Sequence, residues 1–113
     1  MHEETTATAT VQIDNEFTRV TEWRFGPGTQ TGTHRHEFDY VVVPTVPGTV
    51  RVVAADEEFD NQLVLGASYT GPAGNTHNVI NTSDTECAFV EVEFRSRPVT
   101  PAGRGPEGAG PSQ

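Results

Sequence analysis

The sequence predicts an all-β domain: a sandwich, jelly roll or barrel. No ten-residue stretch carries apolar residues at the i, i+3, i+4 spacing of a helix face. Instead, seven or eight short runs rich in β-branched and aromatic residues alternate with clusters of Gly, Pro, Asn and Asp. That spacing is typical of antiparallel sandwiches and barrels. A length of 113 residues points to a single domain.

In chain order the expected strands are Val11–Ile13, Thr18–Phe25, His34–Val43, Val50–Ala54, Leu63–Leu65, Ser68–Thr70, His77–Asn81 and Ala88–Phe94. Turn residues separate them at Gly26-Pro27-Gly28, Pro44 to Gly48, Pro72 to Asn75 and Asn81 to Asp84. The acidic stretch Asp56–Asn61 reads as an exposed hairpin loop. Residues 1–10 hold no apolar periodicity and read as a flexible N-terminus. Residues 98–113 contain four Pro and four Gly with almost no hydrophobes, the composition of a disordered tail. Residues 11–97 must therefore hold the whole core. Tyr40–Val43 is apolar on both strand faces, so one face lines the core and the other needs a cover. With so small a core, a homodimer through sheet packing or strand exchange is expected.

Seven basic residues, all Arg, stand against sixteen acidic ones, a formal net charge of −9. Such a chain cannot neutralise a run of phosphates, which excludes a nucleic-acid partner. It does not suit an anionic membrane surface either. The longest apolar runs are four to five residues, too short for a membrane span or a secretory leader. One cysteine, Cys87, cannot form an internal disulfide, and a reduced cytoplasmic setting is expected. No GxSxG nucleophile turn and no GxxxxGK[ST] phosphate loop occurs.

The informative residues are histidines. His2 lies in the N-terminal segment, while His34, His36 and His77 fall in expected strands. One residue separates His34 from His36, so an extended chain presents both on one face. A third imidazole from a facing strand closes on one side of a cation, and imidazole suits Fe, Zn, Ni, Mn and Cu. Pro72 and Gly74 form a tight turn that aims His77 inward. Asn81 shares the parity of His77 and is expected to close the next turn with its amide.

The segment Gly28-Thr-Gln-Thr-Gly-Thr-His34-Arg-His36 and the later Gly66…Pro72…Gly74…His77…Asn81, which fits G(x)5PxG(x)2H(x)3N at every fixed position, resemble the two motifs of the cupin superfamily. His34–Pro44 together with Phe89–Phe94 is similar to small cupins of the BauB type. The resemblance implies a jelly-roll (double-stranded β-helix) barrel with His34, His36 and His77 as metal ligands. The family's first motif usually places a Glu ligand where this chain has Tyr40. Residues 34, 36, 38 and 40 share strand parity. Tyr40 therefore either donates a hydrogen bond into the pocket or binds metal as a phenolate, unless it is a core aromatic. Glu37 and Asp39 point to the opposite face.

The resemblance further implies one divalent transition metal, Fe(II) foremost, with Mn, Ni or Zn as alternatives. A three-histidine non-haem Fe(II) dioxygenase acting on a small polar metabolite is the leading reading, with Tyr40 as its catalytic hydrogen-bond donor. An octahedral ion would keep about three positions for substrate and O₂. The alternatives are a lyase or isomerase using Mn, Zn or Ni as a Lewis acid, a non-catalytic metabolite-binding cupin, and a metal-free cupin whose histidines serve hydrogen bonds. Trp23 and Phe38 are packing residues or pocket walls. Arg24 and Arg51 are candidates to grip a substrate carboxylate, or else face outward. Arg35 is expected at the surface. Alternation on the last strand puts Val90, Val92 and Phe94 in the core and Glu91 and Glu93 in solvent, with a pocket carboxylate as the alternative.

Overall fold

The β-branched runs become nine strands and, among the described residues, no helix. The structure is a computed structural model and describes residues 5–95. The strands are β1 (Thr8–Asp14), β2 (Thr18–Phe25), β3 (His34–Arg35), β4 (Tyr40–Val46), β5 (Gly48–Ala54), β6 (Glu58–Leu63), β7 (Tyr69–Gly71), β8 (Thr76–Asn81) and β9 (Cys87–Phe94). They form two antiparallel sheets, ordered β1-β2-β9-β4-β7 and β3-β8-β5-β6. No helix here is long and apolar enough to cross a membrane. The expected tail at 98–113, and His2, lie outside the described residues.

The core forms where the inner faces meet. Phe25, Leu63, Val50 and Cys87 are fully enclosed, and the Phe25 and Phe89 rings lie 5.4 Å apart. Full burial of a side chain such as Phe25 or Leu63 contributes about 1.5–3 kcal/mol. Cys87 is a small buried core residue.

Several boundaries differ from expectation. The first strand starts at Thr8 rather than Val11, because it pairs along β2 from Thr8↔Arg24 to Asp14↔Arg19. The stretch from Asp56 to Asn61 is not a loop throughout. The chain turns at residues 55–57, and β6 then pairs with β5, with Val52 opposite Phe59 and Arg51 opposite Asp60. Its acidic residues point outward to Arg51. Pro44 does not end β4. The strand continues to Val46 through a register shift that accommodates a residue with no N–H to donate.

The expected strand His34–Val43 is broken. β3 belongs to the four-stranded sheet and β4 to the five-stranded one, so residues 36–39 carry the chain from one to the other. The crossing is fastened at both ends: Gly74 N–H donates to His36 O, and Phe94 N–H donates to Asp39 O. On the outer face of the larger sheet, Ile13, Val20, Val92 and Val41 fall in register across four adjacent strands. A homodimer packed sheet to sheet would bury this row.

Candidate metal centre

The three histidines meet because their backbones are paired. His34 stands directly opposite His77 in the β3–β8 ladder. His36 lies past the end of β3, yet its N–H donates to Asn75 O at 2.9 Å. The turn that aims His77 closes with Asn75 N–H on Pro72 O, and Gly74 takes φ +92°, a conformation open to glycine. The Tyr40 ring stacks on His36 with centroids 3.9 Å apart. Gly71 makes room for it: a Cβ there would sit 2.1 Å from Tyr40 Cζ.

The imidazoles converge through one kind of atom. His36 Nε2 lies 3.0 Å from His34 Nε2 and 3.2 Å from His77 Nε2. His34 Nδ1 is 2.8 Å from Gly32 O, an acceptor only, so Nδ1 carries the proton and Nε2 presents a lone pair. Metal–nitrogen bonds of about 2.1 Å at right angles place two ligand nitrogens about 3.0 Å apart. The separations match that edge length, and the three residues form a group that could hold a metal ion. Burial, reinforced by the neighbouring imidazoles, lowers His36 to about 4, and burial with His34 lowers His77 to about 4. Both rings are therefore neutral at pH 7, as ligands must be.

His34 and His77 line a cavity of about 350 Å³, a size suited to a small metabolite. Trp23 lines it, as one reading of the sequence proposed, and stacks on His34 at 6.5 Å. Tyr40 lines it too. Its hydroxyl accepts from Asn75 Nδ2 at 2.9 Å, which leaves the O–H free to donate inward. Burial raises the Tyr40 pKa, against the Asn75 hydrogen bond, so the phenol stays protonated.

Three substrate candidates do not reach the cavity. Arg24 is exposed and paired with Glu22 and Glu86. Arg51 is held on the outer face by Glu58 at 3.2 Å and Asp60 at 3.1 Å. Phe38 sits in the crossing between sheets, where strand parity no longer applies, and does not line the cavity.

Glu91 corrects the reading of β9. It points inward, is 8 % exposed, and lines the cavity with Oε2 at 3.8 Å from His36 Nε2. Val90 and Val92 take the outer face instead. Burial, with Glu93 adding to it, pushes Glu91 up to about 7, while the Trp23 indole N–H and Arg19 oppose the rise. The contact with His36 is thus not an ion pair at neutral pH. A cation placed beside Glu91 would favour its ionised form. Asn75, between Gly74 and His77, was also missed. It shares strand parity with His77, and that was its available signal.

These shifts set a pH dependence. Two imidazoles lowered from 6.5 to about 4 make the unfolded chain bind more protons between those values, so stability falls as pH drops through that window. Glu91, raised from 4.5 to about 7, acts in the opposite sense. Two groups outweigh one. Metal-free protein should lose thermal stability from pH 6.5 to 4 in a chelator-containing scan; a flat or rising profile would contradict the burial of these rings.

Comparison with known proteins places this geometry. The family profile of the cupin domain matches residues 21–93. The "Beta-alanine degradation protein BauB" of Pseudomonas aeruginosa is 49% identical over 89 residues, 79% of this chain and 94% of that protein. The crystal structure of a cupin domain from Bordetella pertussis Tohama I superposes with a TM-score of 0.80 at 51% identity, covering 85% of this chain and 100% of that one. A cupin superfamily protein from Desulfitobacterium hafniense DCB-2 shares the fold at 12% identity, with a TM-score of 0.66, covering 85% of this chain and 84% of that one.

Proposed function

Because this chain belongs to the cupin family, we propose that it is a metal-dependent enzyme in which His34, His36 and His77 hold one divalent transition metal. Fe(II) is favoured, and the reaction is the dioxygenation of a small polar metabolite. The observation that carries this reading is the convergence of three Nε2 atoms beside a cavity of metabolite size. Bound there, Fe(II) would supply O₂ activation and Lewis acidity. The name of the Pseudomonas aeruginosa relative supports an amino-acid-derived substrate.

The chain's own residues do the rest. Trp23, Phe89 and Val79 form apolar walls of the cavity. Gly32 O fixes the His34 tautomer. Tyr40, held by Asn75 and by stacking on His36, directs its O–H at whatever lies in the cavity. A second reading, a lyase or isomerase working without O₂, is favoured by one observation: a cavity carboxyl near 7 suits a general base at neutral pH.

Oxygen uptake by Fe(II)-loaded protein on adding small thiols, diketones or amino-acid-derived acids tests the proposal. Tyr40→Phe should slow turnover about 10-fold, the worth of one directed hydrogen bond. Unchanged uptake would remove Tyr40 from the mechanism. Full turnover without oxygen in Zn-loaded protein would replace the oxygenase with the second reading.

A further inference from the structure

The cavity's charge pattern narrows the substrate class. Among the described residues lining it, Glu91 is the one carboxylate, and none is Lys or Arg. Both arginines that might have met an anionic substrate are tied up outside. Arg19 shares the inner face of β2 but stands opposite Glu93 in the ladder and does not line the cavity. The aromatic side chains Trp23, Tyr40 and Tyr69 line the same space. A buried carboxylate attracts cations by charge and by charge-assisted hydrogen bonds.

We propose that Glu91 is a specificity-determining residue that seats the ammonium group of a small amino-functionalised substrate whose other end faces the three imidazoles. Glu91 Oε2 is 3.8 Å from His36 Nε2, so a small molecule of two or three carbons in a bent conformation reaches both groups. The imidazole set brings no negative charge to a bound cation, and the wall carboxylate offsets part of that positive charge. Substrates lacking the amine leave the buried Glu91 carboxylate without that added positive partner, and the loss of this charge-assisted contact supplies the discrimination. The inference rests on the metal-site reading above.

The test uses Zn-loaded protein, which binds without oxidative turnover, and two probes differing only in the amine: 3-aminopropanoate and propanoate. Metal content is measured first by elemental analysis. Calorimetry should then show 3-aminopropanoate binding at least about 10-fold tighter than propanoate, a difference of about 1.4 kcal/mol. Glu91→Gln, of equal size, should keep its zinc and bring the ratio close to one; Glu91→Asp, which keeps the charge, should retain a preference for the amine. Wild-type protein that holds zinc but binds both probes equally, prefers propanoate or binds neither overturns the inference and leaves the metal site standing. A preference that survives in zinc-loaded Glu91→Gln does the same. Wild-type protein that takes up no zinc overturns the metal reading and this inference with it.

Discussion

Replacing His36 with alanine is expected to weaken binding of a divalent metal by more than about 100-fold, since loss of a mere supporting partner already costs 10–100-fold. His36 is the central member of the trio: its Nε2 is the atom that faces both other nitrogens. It is also 4 % exposed, so its removal opens a void beside Tyr40 rather than a surface change. Competition against a chromophoric chelator reads the affinity directly. The same variant should show a shallower loss of stability between pH 6.5 and 4, because one of the two lowered imidazoles is gone. Wild-type affinity in the variant would mean that the ion sits elsewhere.

Asn81→Ala should cost about 3–5 kcal/mol of folding stability, a large share of the 5–15 kcal/mol typical of a domain. Asn81 is 1 % exposed and ties three segments together. Its Nδ2 donates to Phe25 O, Gly26 O and Thr85 O, and its Oδ1 accepts from Ser83 N–H and Ser83 Oγ. Alanine leaves these buried groups short of partners. Asn81→Asp should be at least as harmful, because it sets carboxylate oxygen against three carbonyl oxygens. Urea unfolding with an unchanged slope measures both. A cost below about 1 kcal/mol for alanine would show that the surrounding groups find other partners.

Much of this was legible in the chain. Alternation and turn residues located the strands, and β2 ran from Thr18 to Phe25 as read. The HxH parity and the Pro72–Gly74 turn identified the three imidazoles, and the amide of Asn81 closes its turn as expected. What stayed hidden was which side of a strand faces in. β9 carries apolar residues on both parities, Phe89 on one and Val90 and Val92 on the other. Alternation could not place Glu91; its ladder neighbours Thr21 and Val42, both inward, decide it. The acidic look of β6 disguised an amphipathic strand whose Phe59 and Asn61 line the cavity. The crossing at residues 36–39 has no periodic signature, because a change of sheet is a property of the whole fold.

Just two residue pairs join β3 to β8, His34↔His77 and Arg35↔Thr76. An ion shared by these imidazoles would act as a crosslink between points about 43 residues apart in sequence, closing a long loop of the unfolded chain. The edge of the smaller sheet would then owe its order to the ion as much as to its own ladder, and occupancy and folding would become a single linked equilibrium.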